Sequence, residues 1–277
     1  MWPNLEGKVR SVTWFWLFWA SVITCGILYL INVLVSEARP NNPWGLSYGI
    51  AATLLMMGSA VYTVRRRAQR IASKYRLGST QNWLQFHVYG GSLSLLLVLM
   101  HIGFRLPSGT LTWWLFILTV WVILSGMAGV FLQKWIPKIL ASGLSLEVIY
   151  ERIPELIEEI KQKATQLVED CEAPVRGLYS EQIAPVLERP ELKLIYYVDI
   201  TGGMRSRLKE FEFLRGVLDS EEREKLDRLQ ALYQTKLELD AHYTLQKTMR
   251  CWLYAHVPPS LVLLVLVVWH VLAVWYY

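Results

Sequence analysis

Long apolar runs alternate with short polar turns along most of the chain, and one charged block interrupts them before the last run. Five runs are long enough to cross a bilayer as helices: residues 11–35, 46–64, 83–104, 111–132 and 251–276. A spanning helix needs about 20 apolar residues, because the hydrocarbon layer is ~30 Å thick and each residue rises ~1.5 Å. The pattern therefore predicts an all-α fold, an integral membrane bundle of five transmembrane helices with a cytoplasmic helical insert. Residues 1–134 hold the first four spans, 135–249 the insert and 250–277 the fifth span. The first run reads as a span and not a cleaved leader, since its apolar stretch is too long and no small-residue cleavage site follows.

Inside the insert the period changes. Leu146, Ile149, Ile153, Leu156, Ile160 and Leu167 recur at helical spacing. Pro154 is placed to start or kink a helix there. Residues 173–201 are broken by Pro174, Gly177, Pro185 and Pro190, which predicts short helices and turns, and Gly202 with Gly203 predicts one more turn. Asp219 followed by Glu222 resembles a helix start. No proline then intervenes until Pro258 and Pro259, and Leu226, Leu229, Tyr233 and Leu237 form an apolar stripe. One long helix is expected to run from the insert into the fifth span and to kink at the proline pair. The insert itself is expected to be an antiparallel helical hairpin.

Composition agrees with a membrane protein. The chain is 53% hydrophobic and 18% charged, whereas a soluble domain is nearer half apolar and about a quarter charged. Much of the tryptophan lies near the ends of the apolar runs, as interfacial belts do. The net charge of +5 comes largely from cations flanking the spans and gives no reason to expect nucleic acid; membrane lipid is the expected surrounding. Lys8 and Arg10 precede the first span, and Arg65, Arg66, Arg67, Arg70, Lys74 and Arg76 follow the second, while the opposite loops carry only Arg39 and Arg105. The positive-inside rule then places the N-terminus and the insert in the cytoplasm and the C-terminus outside. A bacterial cytoplasmic membrane is the expected location. Cys25, Cys171 and Cys251 form no CxxC or CxxCH motif, which argues against zinc, an iron–sulfur cluster or covalently attached haem.

Five histidines are present, and four of them lie in two predicted spans. His87 and His101 are 14 residues apart on the third span, and His256 and His270 are 14 apart on the fifth. Two heptads keep each pair near one face of its helix in a left-handed bundle. At ~1.5 Å per residue they differ in depth by about 21 Å. The third and fifth spans run in the same direction, so His87 meets His256 at one level and His101 meets His270 at another. Imidazole is a good ligand for haem iron. Two facing pairs would bind two haem b groups and leave no axial position open.

Gly90, Gly91 and Ser94 follow His87 and are small enough to let a flat macrocycle approach; Ser260 is in a similar place after His256. Gly126 and Gly129 suit close helix approach. Arg105 on one side, and Lys74, Arg76 and Arg250 on the other, are candidate partners for haem propionates. The competing reading makes the arginines topology determinants, the glycines packing residues and the histidines interhelical hydrogen-bonders. His242 repeats the 14-residue interval before His256. A third haem there, needing a ligand other than histidine from this chain, stands beside a simple hydrogen-bonding role.

The layout resembles the transmembrane haem core of the ferric reductase and NADPH oxidase family. The residues that carry the resemblance are His87, Val88, Tyr89, Gly90 and Gly91 through His101, and His256, Val257, Pro258 and Pro259 through His270. The cytochrome b of quinol–cytochrome c oxidoreductases has a similar histidine spacing. The resemblance implies two stacked bis-histidine haems that move electrons. The chain departs from that family in carrying no Gly-rich dinucleotide fingerprint and in holding the large insert before the fifth span. The expectation is therefore an electron-transfer subunit of an oxidoreductase complex. Its partners would be redox subunits, such as a c-type cytochrome or another electron carrier, or the quinone pool. A ferric or oxygen reductase acting at the outer haem edge, and a non-redox scaffold or transporter, are the alternatives.

Overall fold

The computed structural model describes residues 5–68, 78–143, 148–197 and 200–276. The α-helices among them are α1 Leu5–Val35, α2 Pro43–Arg67, α3 Thr80–His101, α4 Thr110–Gly143, α5 Ile153–Glu169, α6 Ala173–Leu178, α7 Ile200–Arg215 and α8 Ser220–Tyr276. Short 3-10 and π turns lie between α5 and α7, and no strand occurs among the described residues. Five helices, α1, α2, α3, α4 and α8, are long and apolar enough to cross a membrane. Their outer faces leave Trp16, Leu30, Leu54, Leu124, Val265 and Trp269 exposed. So much exposed apolar surface suits lipid and not water, and the chain is a membrane protein.

The chain divides into two compact units, Met1–Ala128 with Tyr254–Tyr277, and Gly129–Leu253. In the first, α2 and α3 pack along their lengths and α1 packs on α3. Tyr48, Ala52, Leu97 and Met100 are buried there. The Asn42 side chain starts α2 by accepting from the Gly45 N–H at 2.6 Å, with Pro43 in the first turn. Ser79 caps α3 by accepting from the Asn82 N–H at 3.2 Å. Arg65 at the end of α2 is buried and donates to the Thr80 hydroxyl at 2.7 Å and to the Gly78 carbonyl. It clips the two helices together and is more than a topology determinant.

The third span stops at His101, three residues before its expected end. Gly103 and Phe104 both adopt positive φ, 64° and 55°, and the Phe104 N–H returns to the Leu99 carbonyl at 2.8 Å. A Cβ on Gly103 would stand 2.6 Å from the Ala38 carbonyl oxygen, so only glycine fits the first of these positions.

In the second unit, α5 runs antiparallel to the first half of α8. Near one end, Gln246 donates to the Val148 carbonyl at 2.8 Å and Tyr150 stacks on Tyr243. Near the other, Lys225 donates to the Asp170 carbonyl at 2.9 Å. The expected hairpin is present, with α6, α7 and the intervening turns packed onto it. Ile153, Ile157, Ile160, Ala164 and Val168 form the buried face of α5, and they meet Leu226, Leu229, Tyr233 and Leu237 of α8 in one core. Full burial of such a side chain contributes about 1.5–3 kcal/mol.

Pro154 lies in the first turn of α5, so the helical pattern takes effect only from Ile153. Ile149 precedes the helix and is exposed, and Leu146 lies outside the described residues. Asp219 caps α8 by accepting from the Glu222 N–H at 2.9 Å, while the Glu222 carboxylate accepts from the Glu172 N–H instead of turning back to the cap. The turn expected at Gly202 and Gly203 is absent: both lie inside α7. Glycine costs about 1 kcal/mol per residue in a helix, and the favourable helix formers that follow carry it. Helix α8 runs unbroken through Pro258 and Pro259.

Candidate functional site

Three of the four span histidines are held by hydrogen bonds through Nδ1. The His87 Nδ1 donates to the Ser59 carbonyl at 3.0 Å, and the His101 Nδ1 donates to the Gly45 carbonyl at 2.8 Å. Both acceptors belong to α2. They are 14 residues apart, as the histidines are, which is the register of an antiparallel pair. A carbonyl oxygen can only accept, so Nδ1 carries a hydrogen in each ring, and in the neutral imidazole that leaves the lone pair on Nε2.

His256 is anchored at Nδ1 through a hydroxyl. The Ser125 hydroxyl donates to the Val122 carbonyl at 3.1 Å, and its oxygen lies 2.9 Å from the His256 Nδ1. The hydroxyl and the imidazole are thus hydrogen-bonded to each other at Nδ1. One turn earlier on α4, the Trp121 indole donates to the Ala255 carbonyl at 2.9 Å. That carbonyl is the one Pro259 cannot serve, since proline has no N–H to return to residue i−4. Trp121 and Ser125, four residues apart, thus clamp the turn of α8 that presents His256.

His87 and His256 face each other with ring centroids 6.3 Å apart and planes at 84°. Tyr62 lies against His87 at 5.3 Å. His256 is buried, and His87, His101 and His270 are half-buried. His101 and His270 are electrostatic neighbours. Two glycines make room for the rings. A Cβ on Gly49 would stand 2.9 Å from the His101 Nδ1, and one on Gly126 would stand 3.2 Å from the His256 Cε1.

The remaining sequence candidates are dispersed. Gly90 is buried against Ser59 and Phe86, and Gly91 lies near Ile123; their neighbours are side chains of the bundle. Ser94 donates to the Gly91 carbonyl at 2.7 Å, and Ser260 to the His256 carbonyl at 2.5 Å. Gly129 sits under Trp252, within the second unit. Arg105 is exposed in the turn after α3. Arg250 pairs with Glu151 and covers the Tyr150 ring at 4.2 Å. His242 is buried in the insert with its Nδ1 3.4 Å from the Gln246 amide nitrogen. Lys74 and Arg76 lie outside the described residues.

Sequence reasoning missed Gly49, Ser125, Trp121 and the two carbonyls of α2. Backbone carbonyls carry no sequence signal, because every residue has one. The glycine spacing of Gly45 and Gly49 on the span before the first histidine was a usable hint.

Among the described residues no group of three or more His, Cys, Asp or Glu side chains converges. A facing pair of imidazoles suits a metal whose other ligands arrive with a cofactor. Comparison with known proteins gives no match to any family model, curated protein or solved structure.

Proposed function

We propose that this chain is a membrane-embedded di-haem cytochrome b subunit that carries electrons across the membrane. His87 and His256 hold one haem b, and His101 and His270 hold the other. The observation that carries this reading is the Nδ1 anchoring of His87 and His101 on α2 carbonyls. Such a bond fixes the tautomer, orients the ring and raises the basicity of the opposite nitrogen, as it does for metal-bound histidines generally. The same Nδ1 anchoring recurs in three of the four rings, each leaving Nε2 as the nitrogen that would ligate.

The spacing also fits. With metal–nitrogen bonds of ~2 Å on each side, imidazoles facing one another across a single ion have ring centres roughly 6 Å apart. The observed 6.3 Å between His87 and His256 agrees. A haem b held between each histidine pair would supply a one-electron couple. The residues of the chain then do three things. Ser59, Gly45 and Ser125 orient the rings; Gly49 and Gly126 leave room for them; and the apolar faces of α3 and α8 exclude water. Two histidines for each haem would favour electron transfer over catalysis at the iron.

The cation distribution supports an N-terminus and insert in the cytoplasm and a C-terminus outside. Donor and acceptor are one-electron carriers on either side, a c-type cytochrome or another redox subunit, or quinol in the bilayer, with the insert as the docking platform. The test is haem content of the purified full-length chain with a reduced-minus-oxidised spectrum. Two haems per chain with a b-type band are expected, and His101→Ala and His270→Ala should each remove the same one. A colourless protein, or cofactor content indifferent to both substitutions, would sink the proposal. Turnover of a soluble acceptor by the pre-reduced protein alone would favour the reductase alternative.

A further inference from the structure

We infer that residues 190–197 of the insert form a membrane-interface anchor that sits among the headgroups of the leaflet bordering the insert. It rests on the five apolar spans and is independent of any cofactor.

The segment carries apolar side chains that no part of the second unit covers. Leu194 is 82% exposed, Leu192 56% and Ile195 48%. It is nevertheless firmly placed. The Glu191 N–H donates to the buried Asp240 carboxylate at 2.9 Å, the Lys193 N–H donates to the Thr244 hydroxyl at 3.3 Å, and the Tyr197 hydroxyl bonds Thr248. These pins advance along α8 in the direction of Cys251, where its apolar portion begins. From Thr248, which holds Tyr197, to Cys251 is three residues, about 4.5 Å of helix at ~1.5 Å each. The polar layer on each side of the hydrocarbon is roughly 6 Å deep by the same dimensions that set span length, so the Tyr197 end of the segment lies within it.

A second feature joins the segment to lipid-facing surface. Phe131 of α4 is exposed within a candidate span. Trp135, one turn on, stacks on it with centroids 5.5 Å apart, and Tyr197 stacks on Trp135 at 6.1 Å. This three-ring ladder runs from the apolar surface of α4 to the segment itself. Tryptophan and tyrosine favour the headgroup level, where an apolar ring body meets a polar tip. Lys134 and Lys138 beside the ladder are exposed and offer cations to phosphate groups. A soluble partner would explain the exposed leucines but not their continuity with the aromatic edge of a span.

The test places a nitroxide at Leu194→Cys in the full-length chain, with Cys25 and Cys251 replaced by serine and Cys171 left buried. The protein is reconstituted in vesicles of phosphatidylcholine and phosphatidylglycerol. Collision with molecular oxygen, which concentrates in lipid, is compared with collision with a water-soluble nickel chelate. Val217→Cys serves as the distal control, being exposed and close to Ser220, about 46 Å along α8 from Cys251. The oxygen-to-nickel ratio at 194 is expected to be several-fold above that at 217. Equal ratios at the two sites would mean that the segment stands in water, and exclusion of both reagents at 194 would mean that protein covers it. Either result overturns the inference. Leu192→Cys repeats the measurement at a second position.

Discussion

Gly49→Ala is the sharpest test of how α2 prepares a ligand on α3. The new Cβ would stand 2.9 Å from the His101 Nδ1 and 3.0 Å from its Cε1. Carbon contacts are at rest at about 3.5–4.0 Å, so the ring must withdraw by roughly 0.6–1 Å. A shift of that size breaks the 2.8 Å bond from Nδ1 to the Gly45 carbonyl. Losing such an orienting bond typically costs about 10–100-fold in metal affinity, or ~1.4–2.8 kcal/mol. The assay is haem titration of the detergent-solubilised apoprotein, with the two sites resolved by their spectra. The site containing His101 should weaken by that factor, and the site containing His87 should not change. Gly26→Ala is the matched control, because a Cβ there meets nothing within 4 Å. Wild-type affinity at both sites, or equal loss at both, would refute the reasoning.

Ser125→Ala removes the hydroxyl that bonds the His256 Nδ1 and so loosens that ring; a redox titration should show the midpoint of the His87–His256 haem shifted, with the other haem unmoved. Lys236 and Asp240 form a fully buried ion pair at 2.7 Å, so Lys236→Met removes the carboxylate's charged partner and should cost about 3–5 kcal/mol in denaturant unfolding, whereas Lys236→Met with Asp240→Asn, which keeps an acceptor for the Glu191 N–H, should recover part of that loss. Burial first, and the Glu222 carboxylate second, hold the Cys171 thiol above its ordinary value, leaving less thiolate at any given pH; mass spectrometry should find Cys171 unalkylated at pH 8 until the insert is unfolded.

Much of the architecture was legible in the sequence. Apolar run length alone found all five long helices, because hydrocarbon forces a chain to bond its backbone internally over a fixed thickness. The stripe from Leu226 to Leu237 and the Asp219 cap located the first half of α8, since both are periodic or local signals. A local signal also failed in a predictable place. Gly202 and Gly203 read as a turn but sit in α7, where neighbouring residues outweigh a propensity of about 1 kcal/mol each. Pro258 and Pro259 lie inside α8, which continues through them as the reading of one long helix expects, and an indole from α4 serves the carbonyl that Pro259 leaves unpaired.

The sequence by itself determined that His87 and His101, like His256 and His270, share a helix face, since that follows from helical period. Only the tertiary structure decided which backbone carbonyls take their Nδ1 hydrogens, that Gly90 serves the α2–α3 contact, and that Arg250 belongs to Glu151. The reason is physical. Periodicity fixes a residue's direction from its own helix axis, but a hydrogen-bond partner is fixed by the register and approach of a different helix. That register is set by packing across the whole contact and is written in no single residue.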